Sequence, residues 1–194
     1  MSQYNMRVLL ITGTICRGGL EIVLLNLAQG LIAQGIDVDV FSFSDEGKDE
    51  LFHKFEQKRM FFANKQSLTS VLCRNYSIVH ATTLSVGAGV FPAIARAKYK
   101  GPVMVTCHGS FDNHPDYMKA DIMTSVSCGT ADKIRGRVPE PIHIIYNGID
   151  TDVFRRSTEK NSFPKPIICW VGRAHDGNKN FPAFVEIIKK MQDD

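Results

Sequence analysis

Two hydrophobic rhythms alternate along this chain, and that alternation limits its fold more than any other feature. Met6 to Thr12 is a short apolar run without helical period, the signature of a strand buried on both faces. Leu20, Val23, Leu24, Leu27 and Leu31 then recur at helical spacing, and Gly35 is placed to end that helix. Ile36 to Phe43 reads as the next strand, with Asp37 and Asp39 set between apolar residues. Further strands are expected at Arg59 to Ala63, Ile78 to Ala81, Val103 to Cys107, Ile122 to Val126 and Ile142 to Ile145. A small-residue helix is expected from Ala88 to Ala97. Strands separated in most cases by helical stretches imply an α/β fold: a Rossmann-like parallel sheet with helices on both faces.

The last fifth of the chain departs from this unit. Residues 155–165 are polar, aperiodic and end in Phe-Pro-Lys-Pro, which suits a linker. An eighth strand, Ile167 to Val171, would open a new α/β unit, followed by a helix from Phe181 with Pro182 in its first turn. The expected organisation is therefore a first domain over 1–154, a linker over 155–165, and the first strand and helix of a second domain over 166–194. At 194 residues the chain is long enough to bury a core of this kind.

Composition excludes several classes of function. The formal net charge of +3 is too small to argue for a nucleic-acid partner. The basic stretches Arg96, Lys98, Lys100 and Arg135, Arg137 read as solvated helix ends, with an anionic-lipid patch as the alternative. The 5 cysteines are scattered and form no CxxC pair, which argues against a disulfide framework and a structural zinc site. The polar start of the chain is not a signal peptide, and no apolar run is long enough to span a bilayer.

Ligands of open parallel sheets sit beyond the carboxyl ends of the strands, which selects the segments to inspect. The first, Gly13 to Gly19, invites a dinucleotide reading, but Ile15 occupies the place of the second glycine of GxGxxG. A nicotinamide dehydrogenase is thereby made remote. What remains is the pair Gly18 and Gly19 at a helix start. It is either a tight turn or a place where a backbone amide approaches a phosphate or sugar. His108, directly after the fifth strand, is placed to bond a ligand hydroxyl, to act as general base, or to cap backbone carbonyls. Ser127 or Thr130 is expected to cap a helix, and Asn147-Gly148 to form a turn. Gly172-Arg173 with Lys179 offers a planar guanidinium and a point charge before a helix start, a natural seat for a diphosphate. Its plainer alternative is a surface salt bridge with Asp176 or another acid.

Together these segments match a family pattern. Gly18-Gly19-Leu20-Glu21 opening a leucine-rich helix, His108, Asn147-Gly148-Ile149-Asp150 with Phe154, and Val171-Gly172-Arg173 to Lys179-Asn180 stand in family order. The chain resembles the amino-terminal half of a GT-B glycosyltransferase of family 4. The resemblance implies two Rossmann-like domains, the first holding the acceptor and the second a nucleotide-sugar donor. It also implies a reaction that retains anomeric configuration and needs neither metal nor cofactor. On the same basis His108 is the catalytic residue, in contact with the transferred sugar. Gly18, Gly19, Arg173 and Lys179 would bind the donor diphosphate, and Arg17, Thr83, Ser110, Ser127 and Asn147 would line the acceptor cleft. The acceptor itself, a carbohydrate, a lipid-linked sugar or a small molecule, is left open. The implied location is cytoplasmic, with peripheral contact at the inner membrane face. The family's Glu-x7-Glu motif is not found in the 194 residues, so the chain is expected to transfer no sugar by itself. A non-catalytic subunit that pairs with a separate donor domain is the competing expectation.

Overall fold

The computed structural model describes residues 6–15, 18–45, 55, 59–109, 114–156, 167–172, 174 and 177–192. The chain divides into two compact units, Met1–Phe154 and Arg155–Asp194.

The first unit is built on one seven-stranded sheet. Its strands are β1 (Arg7–Thr12), β2 (Asp37–Ser42), β3 (Met60–Phe62), β4 (Ile78–Thr82), β5 (Val103–Cys107), β6 (Ile122–Ser125) and β7 (Ile142–Ile144). They lie in the order β3-β2-β1-β4-β5-β6-β7, and every pairing is parallel. The helices of this unit are α1 (Gly19–Ala33), α2 (Leu68–Leu72), α3 (Thr83–Val86), α4 (Val90–Ala97) and α5 (Cys128–Ile134). Strand order reverses between β1 and β4, so the connections leaving these two strands diverge to opposite faces and open a crevice at their carboxyl ends.

Side-chain alternation divides the core in two. Val8, Leu10, Val38 and Val40 meet Leu24, Leu25 and Ala28 of α1 on one face. Leu9, Ile11, Phe41, Val79, Val105 and Met123 meet residues of α2, α4 and α5 on the other. Helix α1 ends as its sequence dictates: Gly35 takes φ +78°, its amide bonds the Ile32 carbonyl at 2.9 Å, and the Ile36 amide bonds that of Leu31 at 3.1 Å. This is the Schellman pattern, which satisfies carbonyls the helix leaves open.

The helix expected from Ala88 to Ala97 is α4, which starts two residues later after Gly89 at φ +106°, and the separate short helix α3 precedes it. One expectation is corrected. The eighth strand expected over Ile167 to Val171 carries no strand pairing among the described residues. A parallel strand forms only against a neighbour. Trp170 instead packs on α6 (Phe181–Gln192), with ring centroids 4.8 Å from Phe181 and 6.5 Å from Phe184. Its indole N–H donates to the Lys179 carbonyl at 3.2 Å. Among the described residues, no helix is long and apolar enough to cross a membrane.

Candidate functional site

The carboxyl edge of the sheet gathers an unusual density of buried polar side chains. Parallel register sets Ser42 beside Thr12, Thr82 beside Thr106, and Thr106 beside Thr124. Ile11 beside Ala81 brings Thr12 and Thr82 to the same level across the switch point. The result is a row of hydroxyls at the carboxyl ends of the strands: Thr12, Ser42 and Thr82 are last residues, and Thr106 and Thr124 lie one residue before the end. Some are satisfied: Ser42 Oγ donates to the Ser44 carbonyl at 2.6 Å, and Thr106 Oγ1 lies 2.6 Å from Thr124 Oγ1. Thr12 and Thr82 are buried, and neither hydroxyl has a hydrogen-bond partner among the described residues.

His80 reaches into this row, its Nε2 lying 2.6 Å from Thr106 Oγ1. Burial, with the nearby charge of His108 added, pulls its pKa down to about 4. The imidazole is therefore neutral at physiological pH. His108 follows β5 directly and is half-buried. Burial pulls it below the ordinary histidine range, and the Glu21 carboxylate pulls the other way. The tip that carries His108 is shaped by Cys107 and Gly109, the latter at φ +122°. Burial pushes the Cys107 thiol up, against hydrogen bonds from the Gly109 amide and the Thr83 hydroxyl and the charge of Lys133.

Glu21 stands in the first turn of α1 and is only 6% exposed. Its Oε1 accepts from Thr14 Oγ1 at 3.0 Å. A Cβ placed on Gly18, the residue that precedes α1, would collide with Glu21 Oε2. Gly18 therefore makes room for a carboxylate, a role its sequence context did not suggest. Gly19 differs: a Cβ there would meet nothing within 4 Å. The fold itself does not need a glycine at 19, and the space above it is open.

The sequence-derived candidates thus fall into groups. His108, Gly18 and Gly19 lie at the carboxyl edge of the sheet, joined by the influence of Glu21 on His108. Ser127 caps α5, accepting from the Thr130 amide at 3.1 Å. Thr83, expected along the cleft, is 1% exposed and hydrogen-bonded to Cys107, so its hydroxyl supports the β5 tip and faces no opening. Asn147 is exposed in the segment after β7. Lys179 is exposed in the second unit and ends a short 3-10 turn, Gly177–Lys179. Gly172 lies against Trp170, where an added Cβ would come within 2.8 Å of the indole, so packing alone requires a glycine there. Arg17, Ser110 and Arg173 lie outside the described residues.

Glu21 stood in the quoted motif Gly18-Gly19-Leu20-Glu21 but was given no role, and neither His80 nor the Thr106–Thr124 pair was assigned one by sequence. Glu21 had a signal, an acid three residues after a helix cap. His80 had a weaker one, a lone polar residue inside an apolar strand.

Known structures share this architecture. A lipopolysaccharide outer core galactosyltransferase, WaaB in its apo form, superposes with TM-score 0.60 at 19% identity, over 74% of this chain and 46% of that one. An alpha-glucosyltransferase, solved in complex with UDP and a 13-mer DNA containing an HMU base, superposes with TM-score 0.56 at 13% identity. That match covers 75% of this chain and 43% of the other. The chain spans less than half the length of either structure. No curated protein sequence matches it. The fold is that of an amino-terminal GT-B domain, a class built on a Rossmann-like parallel sheet. The model of Glycosyltransferase Family 4 matches residues 17–153, and the chain belongs to that family.

Proposed function

We propose that this chain is the acceptor-side domain of a glycosyltransferase that moves a sugar, with retention of configuration, from a nucleotide-sugar donor to a hydroxyl-bearing acceptor. One observation carries the reading. At the carboxyl edge of the sheet a half-buried imidazole, His108, lies within the field of a buried carboxylate in the first turn of α1, and the backbone of Gly19 in that turn is uncovered. An imidazole there bonds a sugar hydroxyl, and an open helix start accepts a phosphate oxygen. His108 is the residue assigned to the transferred sugar, and the Gly19 amide to the donor.

In the same reading Arg173 and Lys179 hold the diphosphate. Departure of a nucleoside diphosphate places negative charge on oxygen, and fixed cations stabilise it by several kcal/mol, on the order of an oxyanion-hole contact. Arg17, Ser110, Ser127 and Asn147 are assigned to the acceptor side. A cytoplasmic location with peripheral membrane contact belongs to the reading as well, and so does the inactivity of the isolated chain.

Calorimetric titration with a panel of nucleoside-diphosphate sugars tests it. Arg173→Ala and Lys179→Ala are each expected to weaken binding about tenfold, the worth of one charge-assisted contact. Unchanged affinity in both variants would remove the diphosphate assignment. Sugar transfer by the purified 194-residue chain would remove the assignment to the acceptor side alone.

One observation favours the competing reading of a subunit that pairs with a partner domain. The first unit closes on Ile145, Tyr146, Ile149, Val153 and Phe154, each between 58% and 70% exposed. Apolar groups gathered in one segment mark a contact surface. Light scattering tests it: a strictly monomeric, well-folded chain argues against an obligate partner.

A further inference from the structure

The amino edge of the sheet, opposite the site described above, carries a hollow of its own. Between α4, the start of β5 and the turn before β6 the surface opens into a cavity of about 440 Å³, within the range of small-molecule sites, roughly 300–1,000 Å³. Phe91 and Ile94 of α4 and Val103 of β5 give it an apolar wall, with Phe91 5% and Val103 4% exposed. Helix α4 ends at Lys98, in the left-handed region at φ +53°, and the chain then brings Tyr99 and Lys100 onto the rim. Gly101 leaves the room that the Tyr99 ring occupies, since a Cβ there would collide with the phenol. The Tyr99 hydroxyl donates to the Pro102 carbonyl at 3.5 Å, the outer limit of such a bond. Burial and the Asp121 carboxylate push its pKa up, so it stays a donor. Asp121 is fixed in place: Oδ2 accepts from the Val103 amide at 2.8 Å, and its own amide donates to the Val103 carbonyl at 2.9 Å. Its Oδ1 has no partner among the described residues. Lys119 is committed to Asp116 at 2.5 Å, whereas Lys100 makes no ion pair among the described residues.

One hollow thus combines an apolar wall, a tyrosine, an unpaired cation and a carboxylate with a free oxygen. Opposite charges on one lining do not suit a bare anion, and Arg96 and Lys98, the rest of the basic stretch, do not line it. The ligand that meets every one of these groups has an apolar face and hydroxyls around its rim. Its C–H groups pack on Phe91, Ile94 and Tyr99, one hydroxyl donates to Asp121, and others accept from Lys100 and the Tyr99 hydroxyl. We propose that this hollow is a saccharide-binding site, separate from the site of transfer, which holds one pyranose unit of a glycan. Strand β5 runs from Val103 to Cys107, and at about 3.3 Å per residue it spans roughly 13 Å. A sugar seated at Val103 is therefore too far from His108 to be the unit acted on. It is a further unit of an extended acceptor, and it raises the affinity of a long chain over a short one by a second attachment. That role rests on the glycosyltransferase reading; the binding of a sugar in the hollow does not.

Backbone amide signals followed by NMR test the site while methyl glucoside, methyl galactoside, methyl mannoside and N-acetylglucosamine are titrated in turn into the intact chain. At least one of these sugars is expected to shift the Tyr99, Gly101 and Val103 signals together and to saturate. Inorganic phosphate, added in the same way, is expected to leave them in place. Lys100→Ala and Asp121→Asn are each expected to weaken the sugar about fivefold, the worth of one hydrogen bond. Should Asp121→Asn fail to fold, Lys100→Ala, at an exposed side chain, and Tyr99→Phe, which keeps the ring and drops the hydroxyl, carry the same test. The proposal is overturned if none of the sugars moves these signals, if phosphate moves them and the sugars do not, or if every folded variant binds as the wild type does. Sugar binding here with no response to sugar nucleotides at Gly19 leaves the site standing and removes its role in transfer. A response at Gly19 with none at Tyr99 removes the site and leaves the transferase reading.

Discussion

Thr12 and Thr82 end adjacent strands with buried hydroxyls that meet no partner among the described residues. A buried hydroxyl without a hydrogen bond costs about 1–3 kcal/mol, so these two positions store instability beside the switch point. Thr12→Val and Thr82→Val replace each hydroxyl with a methyl of similar volume. Each is expected to leave stability unchanged or raise it by up to about 1 kcal/mol in urea unfolding, where most buried substitutions destabilise. A loss of more than about 1 kcal/mol would show that these hydroxyls are bonded in solution. His80 makes a prediction of opposite sense. Its folded pKa of about 4 lies below the ordinary value near 6.5, so the unfolded chain binds the proton more readily between those limits. The contribution is fully present above about pH 6.5 and is lost as pH falls toward 4, with a slope of up to about 1.4 kcal/mol per pH unit. His80→Gln, which keeps a donor toward Thr106, is expected to flatten that acid limb in thermal melts taken across the same range.

Single elements carry the next scale of prediction. Helix α1 delivers Glu21 and Gly19 to the site, and its length is set by the Gly35 turn at φ +78°. Gly35→Ala forces a side chain into the left-handed region and is expected to cost roughly 1 kcal/mol by chemical denaturation. Opposite the site, Asp39 on β2 is 2% exposed and accepts from Arg7 Nη2 at 2.6 Å and from the Tyr76 hydroxyl at 2.7 Å. Burial and the Asp39 carboxylate together push the Tyr76 hydroxyl well above the ordinary tyrosine range. Asp39→Ala removes the acceptor shared by Arg7 and the Tyr76 hydroxyl, leaving Arg7 its bond to the Arg74 carbonyl, and is expected to cost roughly 1–3 kcal/mol in the same assay. Much at this scale was legible from hydrophobic rhythm. The strand Val103–Cys107 and the start of α6 at Phe181 fell where the sequence placed them. What could not be read was tertiary in origin. The short helix Thr83–Val86, set off from α4 by Gly89 at φ +106°, gave no periodic signal of its own in the sequence. The run Ile167–Val171 has strand composition, but a strand is completed by a neighbour, and Trp170 found α6 instead.

The whole first unit is polarised. One end of its sheet is locked by the Arg7–Asp39–Tyr76 network, and the other carries His108, Glu21 and the hydroxyl row. Rigidity at one end and polar, partly unsatisfied chemistry at the other is the arrangement expected of a domain that binds at the carboxyl ends of its strands. His108 was found in sequence because it follows a strand directly. Glu21 and His80 received no role from sequence because their surroundings depend on the order β1-β4-β5, which brings segments dozens of residues apart to one edge. Membership in Glycosyltransferase Family 4 and the fold fix the class; the chemistry at that edge has to be measured. The most direct measurement follows the amide signal of Gly19 and the ring signals of His108 while nucleoside-diphosphate sugars are added to the intact chain. The account predicts that at least one such sugar shifts both together, and that His108→Ala weakens the response at Gly19. It is contradicted if every sugar nucleotide leaves both signals in place.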